Sequence, residues 1–278
     1  MLTPHELLIT ILLPALVAAV IAAIGAWRRW SFAMPLAMGV GFVVAYACIG
    51  LPRFPPRDGS DWLFWLAMAL TLLAVVDSLM GRRYGWLLGA SAGPVAFVLL
   101  QPLADVPSQV LWVTSVVFAI AGLALTFTAS ISQRRLGGFW TLACFCVATL
   151  GAGVVILSSD SRTIGMHGLA AASALGPVVV LGARLRAAQS VALLAVPLLA
   201  GLLVAGHFYA GVTCRNMTVL LASPLLLLVG AFLPLKRRWL RGMIALLATT
   251  IAVAAVTVPT ALAARKAVEA DPYADFYK

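Results

Sequence analysis

LTLLAVVDSLMGRRYGWLLGASAGPVAFVLL, residues 70–100, places the doublet Arg82 and Arg83 between two long apolar runs, with one acid, Asp77, near the end of the first. A helix that crosses a bilayer needs about 20 apolar residues, and runs this long and continuous are helices rather than strands. The same arrangement repeats outward to both ends of the chain. Candidate spans fall at about 6–26, 31–51, 62–80, 84–103, 109–131, 136–157, 164–183, 188–210, 216–235 and 242–263.

The chain is 63% hydrophobic and 10% charged, whereas a soluble domain carries roughly 25% charged residues. It therefore reads as all-α, a polytopic integral membrane helix bundle of about ten transmembrane helices. Residues 1–263 form a single transmembrane helical domain and residues 264–278 a short exposed C-terminal tail. A transmembrane barrel would show short alternating segments instead of continuous Leu, Ala and Val runs.

The net charge of +10 would suggest nucleic acid in a soluble protein, but here the charge lies between spans and argues against that partner. Counted from the first connection, the odd ones hold twelve basic residues and no acid: Arg28, Arg29, Arg82, Arg83, Arg134, Arg135, Arg184, Arg186, Lys236, Arg237, Arg238 and Arg241. The even connections and the termini hold seven basic residues against eight acids. Short basic loops stay cytoplasmic, which predicts both termini on the outer side of a plasma membrane or bacterial inner membrane. The opening "MLTPHE" has no basic segment and the first positive charges follow the apolar run, the reverse of a cleavable signal peptide. The basic doublets recur at about fifty residues, a spacing that two spans and two short loops produce in any compact bundle. Most tryptophans sit near span ends, where indole favours the interface.

Candidate chemistry is thin. "GASAG", Gly89 to Gly93, matches the G-x-S-x-G pattern of serine hydrolases. Ser91 lies roughly 10 Å from the cytoplasmic end of its span and His207 roughly 27 Å, by the helix rise. His5 and His167 are on the outer side too, so the motif reads as a small-residue packing face. Gly168, Ala172 and Gly176 extend that spacing in span seven, and Gly201 and Ala205 in span eight. Cys48 and Cys214 fall on the outer side, where topology permits a disulfide. Cys144 and Cys146 point apart at mid-span and read as packing residues. No spacing of His or Cys suggests a metal site, and no motif implies a cofactor. The sequon "NMT" at Asn216 lies too close to a span to be of use.

Prolines at 14, 94, 177, 197, 224 and 259 interrupt apolar spans. The loop "PRFPPRDGSD", residues 52–61, is stiffened by prolines, with Asp61 placed to cap span three. The tail offers Tyr273, Phe276 and Tyr277 on an acidic background. Asp77 is expected about 5 Å from the cytoplasmic end of its span, where it opposes that helix's dipole, with Arg82 and Arg83 as ion-pair partners that structure the loop or couple to transport.

Small-residue faces and the lack of midplane charge point to a structural or accessory subunit of a membrane assembly, in contact with lipid and with a membrane-protein partner or further copies of itself. The alternative is a transporter or channel for a small, weakly charged or apolar solute, drawn from the ten spans and their prolines. An enzyme is disfavoured because no nucleophile and base share a depth.

Overall fold

A computed structural model describes residues 2–81, 84–103, 106–159, 161–182 and 188–269. Among these residues there are ten helical spans and no strand: α1 (Pro4–Arg28), α2 (Ala33–Ile49), α3 (Gly59–Leu79), α4 (Gly85–Leu100), α5 (Ser108–Arg135), α6 (Gly138–Leu157), α7 (Arg162–Gly182), α8 (Ala188–Ala210), α9 (Cys214–Phe232) and α10 (Arg238–Glu269). Eight are long and apolar enough to cross a membrane, and α2 and α4 are shorter apolar helices. The multi-pass helical bundle follows, with every span at the place its apolar run marks. The largest difference is at the end: α10 continues to Glu269, six residues past the expected end of the last span. The rest of the tail lies outside the described residues.

Interactions between helix ends sort them onto two faces. On one, Arg162 Nη2 at the start of α7 meets Glu6 Oε2 at the start of α1 at 2.5 Å, and Tyr46 at the end of α2 donates to the Ser60 carbonyl at the start of α3. On the same face Asn216 Nδ2 at the start of α9 donates to Thr260 Oγ1 near the end of α10 at 3.2 Å. On the other, Ser78 Oγ at the end of α3 donates to Ser31 Oγ ahead of α2 at 3.3 Å. There too, Arg238 Nη2 at the start of α10 donates to the carbonyls of Gln133 and Arg134 at the end of α5, both at 3.3 Å. This second end carries the described basic doublets and is called the basic face below.

The bundle is built around α8, which packs against α2 through α7 and α9. Every residue from Ser190 to Gly206 is buried. A helix that is apolar all round is one that neighbours must surround, and Ala192, Ala195, Ala200, Gly201, Ala205 and Gly206 let them approach. By contrast α1, α5 and α10 turn Leu16, Val117, Ile120, Leu247 and Ile251 outward, the side chains that lipid tails solvate.

Three interruptions follow from proline. A proline has no N–H to give the carbonyl four residues earlier, and its ring crowds that oxygen. Pro14 stands four residues after Thr10, and α1 widens to a π-helical turn at Leu8–Leu12, with the Leu13 N–H reaching the Leu8 carbonyl. Pro94 stands four after Ala90, and α4 breaks at Ser91. Pro224 stands four after Leu220, and α9 tightens to a 3-10 turn at Ser223–Leu226. Ser223 Oγ then donates to the Leu220 carbonyl at 2.9 Å, in place of the donor that Pro224 lacks. Pro177, Pro197 and Pro259 sit inside unbroken helices.

Candidate functional site

Two buried polar groupings stand out, one near each face. Near the basic face, Asp77 on the last turn of α3 is 1% exposed. Its Oδ1 accepts the backbone N–H of Tyr84 at 2.8 Å, immediately before α4 begins at Gly85. Gly85 lets α4 pack closely on α8, since a Cβ there would stand 2.5 Å from Leu193 Cδ1, while Asp77 Oδ2 at 3.9 Å would remain in ordinary contact. The carboxylate thus closes the start of α4 from across the loop. The dipole of α3 opposes an anion at this position, but that of α4 favours it, because unpaired N–H groups cluster at a helix N-terminus. The partners expected for Asp77, Arg82 and Arg83, lie outside the described residues.

At the other face, Tyr46 on α2, Phe64 on α3 and His167 on α7 converge. The Tyr46 and His167 rings stack at 3.8 Å between centroids and 4° between planes, and Phe64 packs on Tyr46 at 5.3 Å. His167 is 1% exposed, and its Nδ1 is buried without a hydrogen-bond partner among the described residues. Tyr209 on α8 closes the side of this region, its hydroxyl donating to the Leu99 carbonyl at 2.6 Å. Nothing in the spacing of Tyr46 and His167 along the chain brings them together; the contact arises from α2 packing on α7.

The loop over this grouping is tied down by two acids. Asp58 Oδ1 accepts from Ser60 Oγ at 2.6 Å and from the Asp61 N–H at 2.9 Å, and is the N-cap of α3. The capping role expected of Asp61 therefore belongs to Asp58, because α3 starts at Gly59, one turn earlier than the apolar pattern marks. Asp61 is buried instead and accepts the backbone N–H groups of Arg53 at 2.9 Å and Arg57 at 3.1 Å, which folds the loop back on the helix. Partial burial raises the Asp58 carboxyl, but the hydrogen bonds from Ser60 and Asp61 and the nearby Arg53 charge outweigh it and hold the group below its ordinary range.

The small residues named from spacing divide. Gly89 packs against Thr126 and the Gly122 carbonyl of α5, and Gly93 stands where a Cβ would come 2.7 Å from the Ser115 carbonyl. Gly168 faces Gly153 of α6, where a Cβ would come 2.5 Å from the Gly153 Cα. Ala172 is buried, its carbonyl taking Cys146 Sγ at 3.5 Å. Gly176 has open space at its Cβ position and packs on nothing. The 3.6-residue repeat carries it off the α6 face that Gly168 meets.

Ser91 Oγ donates to the Leu88 carbonyl at 2.6 Å, inside its own helix. His207 Nδ1 lies 2.6 Å from the Val212 carbonyl. Cys48 and Cys214 are both free and exposed, so the bridge that topology permits is not formed. Apart from α8, which both touch, α2 packs on α1, α3 and α7, while α9 packs on α5, α6 and α10. Among the described residues no three His, Cys, Asp or Glu side chains converge. No family model matches the chain, and neither the curated proteins nor the solved structures include a match to it.

Proposed function

We propose that this multi-pass membrane protein is a structural or accessory subunit of a membrane assembly. The observation that carries this reading is α8: a continuous apolar helix, buried from Ser190 to Gly206, occupies the place where a bundle with an axial pathway would need polar, hydrated walls. Many hydroxyl groups within the spans turn back to their own helices, as Thr71 to the Ala67 carbonyl at 2.7 Å, Thr128 to Ala124 at 2.8 Å and Thr149 to Phe145 at 2.8 Å. A hydroxyl bonded this way has given its one donor to the backbone and offers a polar solute none. The test is native purification in mild detergent. A membrane-protein partner or further copies of the chain at fixed stoichiometry support the reading; saturable solute uptake by liposomes containing this chain alone overturns it.

A transporter is the second reading, supported by the broken helices α4 and α9. Interrupted spans are where many transporters place midplane sites.

The proposed orientation places the basic face in the cytoplasm of a cell membrane, with both termini outside. Tags on either terminus are then expected to be labelled by impermeant reagents on intact cells, and cysteines introduced beside Arg134 or Arg237 only after permeabilisation. Cytoplasmic protection of the C-terminal tag would reverse the assignment.

A further inference from the structure

At the basic face the turn Leu136–Trp140, between α5 and α6, forms a cleft of about 400 Å³ with Arg238 and Trp239 of α10. We propose that this cleft binds the phosphate headgroup of an anionic membrane lipid. The inference stands on the cleft and its chemistry and does not rest on the subunit reading.

The walls are of two kinds. The Arg238 guanidinium lies over Gly137, where a Cβ would stand 3.4 Å from Nη2. Gly137 holds φ at 108°, open to glycine and strained for other residues, which keeps this wall flat beneath the cation. Nη2 is engaged by the carbonyls of Gln133 and Arg134. Among the described residues Nη1 and Nε have no protein acceptor, which leaves their N–H groups as separate charged donors for phosphate oxygens. The N-cap Gly137 has no side chain to close the first turn of α6, so amides add to the same positive field. Arg134, Arg135, Lys236, Arg237 and Arg241 flank the lining residues in the sequence, which has no acid from 130 to 159 or from 211 to 268.

The remaining wall is aromatic. Phe139 and Trp239 are exposed, and Trp140 packs against Gly242 of α10. Indole rings at helix ends lie at headgroup depth. A free phosphate in water has no use for rings beside its arginine, whereas a glycerophospholipid presents glycerol and acyl carbons next to its phosphate. Anionic lipids also enrich the cytoplasmic leaflet, toward which basic faces turn.

The test compares the chain in nanodiscs of phosphatidylcholine with and without phosphatidylglycerol. Phosphatidylglycerol is expected to raise the unfolding temperature and to stay bound in native mass spectrometry after extraction. Arg238→Gln should weaken its retention about tenfold, as loss of a charge-assisted hydrogen bond implies, while Arg28→Gln, on the same face outside the cleft, should leave it unchanged. Because Arg238 also caps α5, Trp239→Ala serves as a second variant: its ring makes no hydrogen bond and it should lose retention without unfolding. Equal retention by Arg238→Gln, Trp239→Ala and Arg28→Gln overturns the site. Stabilisation by inorganic phosphate in pure phosphatidylcholine as large as that by phosphatidylglycerol overturns the lipid as its occupant.

Discussion

Gly168→Ala is expected to lower the unfolding free energy by about 2 kcal/mol, in the range for overpacked interiors, while Gly176→Ala on the same helix leaves it unchanged or slightly higher. At Gly168 the added Cβ would stand 2.5 Å from the Gly153 Cα and 3.0 Å from its nitrogen. Those are backbone atoms, which no rotamer change can move aside. The helices α6 and α7 must separate, and the contact they lose is a close backbone approach that Gly165 repeats one turn earlier, where a Cβ would stand 2.5 Å from the Leu157 Cα. Gly176 has no atom from another helix within 4 Å of that position among the described residues, so its substitution sets intrinsic helix preference, worth up to about 1 kcal/mol in favour of alanine, against the crowding of the new Cβ by the ring of Pro177 that follows it. Both variants share one helix and one chemical change, so the difference isolates packing. Thermal or denaturant unfolding in detergent measures it. Equal losses in the two variants would mean that the α6–α7 approach is not what Gly168 provides.

The pair also shows where sequence patterning stops. Gly168, Ala172 and Gly176 are equivalent as a small-residue series, yet at 3.6 residues per turn each four-residue step carries the side chain about 40° further around the axis, about 80° from the first to the last. Such a series therefore starts on one neighbour and ends elsewhere. The ten spans were readable because lipid demands long apolar runs and loops collect charge, and both signals are local. The three irregular turns were half readable. Pro14, Pro94 and Pro224 mark them, but Pro177, Pro197 and Pro259 look the same in sequence and sit in intact helices. What separates the two sets is whether neighbouring helices let the backbone yield, a tertiary property. The stack of Tyr46 on His167 had no local signal at all, since 121 positions separate the rings. Asp61 shows the opposite failure. A good capping residue stood near the expected start of a helix, and Asp58, three residues earlier, held the position instead.

Asp77→Ala is expected to be the most damaging single change at the basic face, costing about 2 to 3 kcal/mol, the worth of a hydrogen bond to a charged group together with a lost helix cap. The substitution removes the acceptor of the Tyr84 N–H, which lies 2.8 Å from Oδ1, and leaves that part-buried donor at the start of α4 without it. Asp77→Asn separates two roles for the same side chain. Asparagine keeps an oxygen for the Tyr84 amide but gives up the charge. If the carboxylate works chiefly as the cap of α4, the asparagine variant retains most of the stability. If it works chiefly as the anion of a pair with Arg82 or Arg83, asparagine falls nearly as far as alanine, because removing one member of a buried pair strands the other charge. Removing both arginines by glutamine then rescues the asparagine variant in the second case and not in the first. Urea unfolding of the four proteins in one detergent decides between them. An alanine variant as stable as the parent would sink both roles and leave Asp77 as a passive residue at the end of α3.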